Sequence, residues 1–198
     1  MDCASDYVVS SYTPNLNYLV NAFAGTLTPS VAQDAKILLL SQPRARRLER
    51  LYNTSKEVQL IEQLAPQESL LCLPSSPGSL DTEGENTTTE NVLAVLPRAS
   101  IVHFACHGSQ DPTDPLSSGF EMRDDRLTAL KLIRLKMPHA FFAFLSACQS
   151  ASGSEQVPDE TVGLASTMLF VGFKSVVGTM WCVLSLSVTR CVPDLPRH

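Results

Sequence analysis

Four short stretches of this chain are apolar almost without interruption: AKILLL (residues 35–40), IVHFA (101–105), AFFAFLSA (140–147) and SVVGTMW (175–181). A run with no polar face has nothing to offer water, so it must be covered on both sides. At this length it fits a strand better than a buried helix. Strands of this kind belong to parallel sheets sandwiched between helices. The intervening sequence agrees. Ser55 can cap a helix running through Val58, Ile61 and Leu64 to Pro66. Residues 89–96 place Val92, Leu93 and Leu96 on one helical face, and residues 128–135 suit a short helix. Residues 159–171 (DETVGLASTMLFV) put acids in a first helical turn, where the macrodipole favours them. The expected class is α/β: a mostly parallel sheet flanked by helices.

The remaining segments fill in this outline. Residues 7–12 read as a strand, 16–24 as a helix and 70–73 as a further strand. Residues 74–88, rich in Pro, Ser, Gly, Thr and acids, read as the most mobile surface loop. Residues 117–127 (SSGFEMRDDRL) alternate and suit a small exposed hairpin.

The bulk numbers exclude several classes. Of 198 residues, 44% are hydrophobic and 18% charged, enough for one domain with a real core. The net charge of −5 gives no basic footprint for nucleic acid. The only cationic cluster is Arg44, Arg46, Arg47 and Arg50. Beside Glu49 and Glu57, it reads as a solvated loop or helix face. Six cysteines without a CxxC pair, several inside apolar runs, suggest buried thiols in a reducing, cytoplasmic setting. Residues 161–189 carry one charge, Lys174, but Gly172 and Gly178 interrupt them, so no membrane span is expected.

In a parallel sheet, ligands sit beyond the carboxyl ends of the strands. His107-Gly108 follows the 101–105 run, and Cys148 follows the 140–147 run. On neighbouring strands, about 4.8 Å apart, the two side chains come within reach of each other. An imidazole there can take the thiol proton and hold the thiolate. Gly108 lets backbone approach a substrate, and its N–H with that of Cys148 can donate to an oxyanion. Spacing alone leaves other readings open: a buried thiol and a satisfied strand-end histidine, or a zinc site using His103, Cys106, His107 and Cys148. Strand alternation puts His103 and His107 on one face and turns Cys106 away, which leaves too few zinc ligands.

Taken in order, VHFACHG, SGF…RL, FLSACQSA and DETVGLASTMLFVGFKSVVGTMW resemble a CHAT domain, a caspase- and separase-like group of cysteine peptidases often attached to tetratricopeptide repeats. The wording is nearest to fungal versions. The resemblance implies a caspase–hemoglobinase-like sandwich with His107 as general base and Cys148 as nucleophile. Gly108 matches the glycine after the histidine. Peptide bonds would be hydrolysed through a thioester, with no metal or cofactor. The partners would be a protein or peptide substrate and a tetratricopeptide-repeat protein. Asp124-Asp125 stands where the family has Asp-Gly. The strand and helix that usually lead the domain are missing, and Pro193 and Pro196 break the closing helix. The domain is thus expected over residues 1–183, incomplete at both ends, with an irregular tail over 184–198. A catalytically silent interaction module on the same fold, in a signalling or cell-death assembly, is the alternative. A flavodoxin-like small-molecule binder finds no support in the residues.

Overall fold

The apolar runs pair side by side as their composition requires. The computed structural model describes residues 13, 20, 35–45, 48–74, 78, 80–111, 113–147 and 163–178. Contacts divide the chain into two units, Met1–Gln33 and Asp34–His198. The strand and helix expected over residues 7–24 lie outside the described residues apart from Thr13 and Val20, as does the tail over 184–198.

Within the second unit the described elements run β1 (Ile37–Ser41), α1 (Thr54–Leu64), β2 (Leu70–Leu71), α2 (Thr89–Val95), β3 (Ile101–Ala105), β4 (His107–Ser109), β5 (Gly119–Glu121), β6 (Arg126–Thr128), α3 (Ala129–Ile133), β7 (Phe142–Ser146), α4 (Leu164–Val171) and β8 (Ser175–Gly178). Five of the strands form one sheet in the order β2-β1-β3-β7-β8. Every pairing in it is parallel. The fold is α/β with a mostly parallel sheet flanked by helices, consistent with a caspase-like architecture. Strand β3 is central, and each of its residues has a partner on both sides, from Ile37–Ile101–Phe142 to Ser41–Ala105–Ser146.

Alternation along the strands decides which face is core. Leu38, Leu40, Val102, Phe104, Ala143 and Leu145 are at most 1% exposed. They pack with Val92 and Val95 of α2, Leu132 of α3, and Leu164 and Met168 of α4. Each of the larger of these side chains contributes about 1.5–3 kcal/mol by leaving water. On the opposite face, Val58 of α1 packs on Leu39 and Ala105. Among the described residues, α1 reaches β1 and β3 on this face, and it leaves Phe144 37% and Val177 45% exposed. Strand β7 is therefore covered fully on one side only, where burial on both faces was expected. Coverage depends on which helix reaches the strand, and composition does not record that.

The ends of the helices follow local chemistry. Thr88 Oγ1 accepts from the N–H of Asn91 at the start of α2. Pro97 lies in a single 3-10 turn that closes that helix. At the end of α4, Gly172 takes φ 126°, and Phe173 N donates to Met168 O at 3.1 Å. That is a glycine-terminated helix end, with Phe173 tucked into the core. Helix α4 begins at Leu164, after Gly163, and Asp159 and Glu160 lie outside the described residues. The cap of α1 is Asn53, without a side-chain hydrogen bond, and Ser55 Oγ instead donates to Glu83 Oε1.

The hairpin expected at the surface is a core element. Strand β4 joins β5 and β6 in an antiparallel sheet of three strands. Phe120 and Leu127 are fully buried. The ring of Phe120 stacks on Phe104 with centroids 4.2 Å apart. Gly119 sits where a Cβ would come 2.4 Å from the carbonyl oxygen of Leu127, so only glycine lets these strands close. The second half of the 74–88 loop is also tied down: Asp81 accepts from the N–H groups of Glu85 and Asn86.

Candidate functional site

Strand β3 ends at Ala105, and Cys106 turns into the core, 1% exposed. His107 then opens β4, so a single residue separates the large sheet from the small one. Gly108 faces Phe120 across the small sheet, and His107 faces Glu121. Stacking of Phe120 on Phe104 fixes the small sheet to the strand before it. The histidine thus stands on a short, anchored strand at the carboxyl edge of the parallel sheet.

The ring is held from a distant part of the chain. His107 Nε2 lies 2.7 Å from the main-chain oxygen of Glu49. A carbonyl oxygen only accepts, so Nε2 carries the proton. In the neutral ring Nδ1 is then the nitrogen with an open lone pair. The segment bearing Glu49 is fastened at this edge by Gln42 N donating to Ala105 O and by Leu51 N donating to Pro43 O, both at 2.9 Å. Arg50 pairs with Glu83 at 3.2 Å in its exposed part.

One layer below, a second polar group joins three elements. His103 of β3 is 6% exposed and stacks on Phe144 of β7, centroids 5.0 Å apart. Its Nε2 is 3.0 Å from Oε1 of Glu57, close but off the line of a well-aligned hydrogen bond. The other oxygen of Glu57 accepts from Ser146 Oγ at 3.1 Å. His103 and Cys106 consequently sit in different environments, the first against Glu57 and the second in the main core.

The acids on the loops near this edge have local duties. Asp111 accepts from Thr113 Oγ1 and from the N–H groups of Thr113 and Asp114. Those bonds hold its carboxyl below the usual range. Asp114 accepts from the N–H of Leu116. Asp124 accepts from Thr89 N at 2.8 Å, at the start of α2. Asp125 takes Lys131 Nζ at 2.8 Å. Glu121 takes Arg126 Nε at 2.6 Å, on the side of the small sheet that carries His107. Glu155 lies outside the described residues.

So the structure brings His107 and Gly108 to one sheet edge, and Cys148 lies outside the described residues. Sequence reasoning missed Glu49, Glu57 and Ser146. It took the first two for solvated charges, yet the main-chain oxygen of one meets His107 and the carboxylate of the other meets His103 and Ser146. No residue type marks a carbonyl that will hold an imidazole. The only available hint for Glu57 was its place one residue before Val58, on a helix that must lie on the sheet.

Among the described residues no helix is long and apolar enough to cross a membrane. No curated protein matches the chain. The family model for the CHAT domain matches residues 2–190. Taken with the parallel sheet and the histidine at its edge, that match over nearly the whole length places the chain in the CHAT domain family, a caspase-like group related to cysteine peptidases.

Proposed function

We propose that the chain is a cysteine endopeptidase domain with His107 as general base and Cys148 as nucleophile. The observation that carries this reading is register. Ala105 and Ser146 are partners across β3 and β7. His107 follows Ala105 by two positions, and Cys148 follows Ser146 by two. A thiol delivered there meets an imidazole whose Nε2 is already committed to Glu49, so Nδ1 is the nitrogen available to it.

In the first step Nδ1 takes the proton from the Cys148 thiol, and the thiolate attacks the carbonyl carbon of a peptide bond. Charge collects on the carbonyl oxygen, where the N–H groups of Gly108 and Cys148 donate, each worth about 3 kcal/mol. Collapse breaks the C–N bond, and His107 returns the proton to the departing amine. Water, deprotonated by the same ring, then releases the acyl group from the thioester. No metal or cofactor takes part in this scheme. A protein or peptide is the substrate, and a tetratricopeptide-repeat protein in a cytoplasmic assembly is the partner that fits the family.

The test is covalent labelling with a peptidyl acyloxymethyl ketone, followed by peptide mapping. Modification at Cys148 ahead of Cys106 and Cys72, lost in His107→Ala, supports the reading. Equal or absent labelling of Cys148 contradicts it.

One observation favours a second reading, a catalytically silent interaction module. The partly covered sheet face forms a groove of about 330 Å³ lined by Ile37, Leu39, Ile61, Phe142 and Phe144, with Glu57 and His103 beside them. Apolar surface of this kind often meets a protein partner. This reading is supported if a protein partner binds, substitution of Phe144 abolishes that binding and no peptide is cleaved.

A further inference from the structure

Two strands deliver the proposed dyad, and their carboxyl ends must keep a fixed spacing. Main-chain pairing fixes β3 against β7 as far as Ala105 and Ser146. Beyond that point β3 gives way to β4 of another sheet. Before that point, one side chain touches both strands. Glu57 places one carboxylate oxygen 3.0 Å from His103 Nε2 on β3, and its other oxygen accepts from Ser146 Oγ on β7. Ser146 is two positions before Cys148, and His103 is four before His107.

We propose that Glu57 is a positioning residue whose carboxylate bridges the middle of β3, at His103, and the end of β7, at Ser146, so that helix α1 sets the spacing between His107 and Cys148. This rests on the peptidase reading for its catalytic consequence. The supporting geometry extends through the same helix and the segment before it. Val58, next to Glu57, is 1% exposed and packs on Leu39 and Ala105, so the helix cannot slide without opening that cluster. Eight positions before Glu57, the Glu49 carbonyl holds the His107 ring. One continuous segment therefore orients the base through its main chain and meets both strands through one carboxylate. A carboxylate suits the task because one oxygen accepts from Ser146 while the other lies against the His103 ring. Its partners are largely out of water, where such contacts gain strength. A shift of about 1 Å in reacting groups can cost a hundredfold in rate, so a tether at this point bears on chemistry.

The test compares Glu57→Ala, Glu57→Gln and Ser146→Ala in the full chain. Two quantities are read: alkylation of Cys148 by a peptidyl acyloxymethyl ketone, resolved into binding and inactivation constants, and amide exchange at the ends of β3 and β7. Glu57→Ala is expected to slow inactivation about tenfold or more with little change in binding, and to speed exchange at both strand ends. Glu57→Gln, which keeps an acceptor for Ser146, should recover most of both. Ser146→Ala should speed exchange at β7 more than at β3. Wild-type inactivation and exchange in Glu57→Ala would overturn the proposal. If Glu57→Ala does not fold, Ser146→Ala decides: unchanged exchange at the β7 end overturns the tether. If wild-type Cys148 shows no preferential labelling, the peptidase reading fails, and the tether stands or falls on exchange alone.

Discussion

His107 Nε2 lies 2.7 Å from the carbonyl oxygen of Glu49, 58 residues earlier in the chain. That one bond fixes the tautomer, since the acceptor has no proton to give. It also leaves Nδ1 as the basic nitrogen, which decides from which side a thiol must approach.

If His107 serves as the base, His107→Ala lowers alkylation of Cys148 by a peptidyl electrophile about 100-fold or more near neutral pH, the usual scale for a positioned base. Raising the pH supplies thiolate without help, so the gap narrows toward pH 9 and above. A pH-independent gap, or none, contradicts the role. The rate of adduct formation by mass spectrometry measures this.

Phe120 joins the small sheet to β3 through its stack on Phe104, and both rings are fully buried. Phe120→Ala should cost about 3–5 kcal/mol in a urea titration, the range for deleting a buried aromatic. Because His107 rides on that sheet, labelling of Cys148 should fall even below the unfolding transition. Phe144→Ala, on the partly covered face, should cost clearly less.

Asp124 accepts from Thr89 N and Oγ1 at the start of α2. Asp124→Ala should destabilise by about 1 kcal/mol, as for loss of a helix cap. Asp124→Gly, which likewise removes the carboxylate, should lose the same cap and not improve stability. Urea midpoints at equal slope separate these outcomes.

The carboxyl of Asp125 is held below its ordinary value of 3.8, first by the hydrogen bond from Lys131 and then by the N–H of Arg126. A lowered folded-state value means the unfolded chain binds the proton first as pH falls. The contribution is therefore complete above 3.8 and shrinks as pH drops through the folded value. The stability gap between wild type and Asp125→Asn should be flat between about pH 5 and 7 and close below about pH 4. An unchanged gap at about pH 2 contradicts this. The group is exposed, so the gap is small.

The parallel sheet was legible because Leu38, Val102 and Ala143, with their neighbours, lie in runs too apolar to be left without cover. The small sheet was not. Strand β4 has three residues, His107-Gly108-Ser109, with no periodicity to detect. The burial of Phe120 becomes visible only when Phe104 lies under it. His107 and Gly108 stood out because polarity changes abruptly where a buried run ends. Glu57 looked like any exposed helix acid, since its partners His103 and Ser146 lie 46 and 89 positions away. Pairings over such distances are set by topology, which local patterning does not encode.

The most direct test of the central claim is a crystal structure of the chain alkylated at Cys148, with the separation of His107 Nδ1 from the Cys148 sulfur measured. The account predicts roughly 3–4 Å, Nδ1 facing sulfur and Nε2 still on Glu49. A separation beyond about 6 Å with a packed side chain between them, or a ring turned so that Nε2 faces the sulfur, would contradict it.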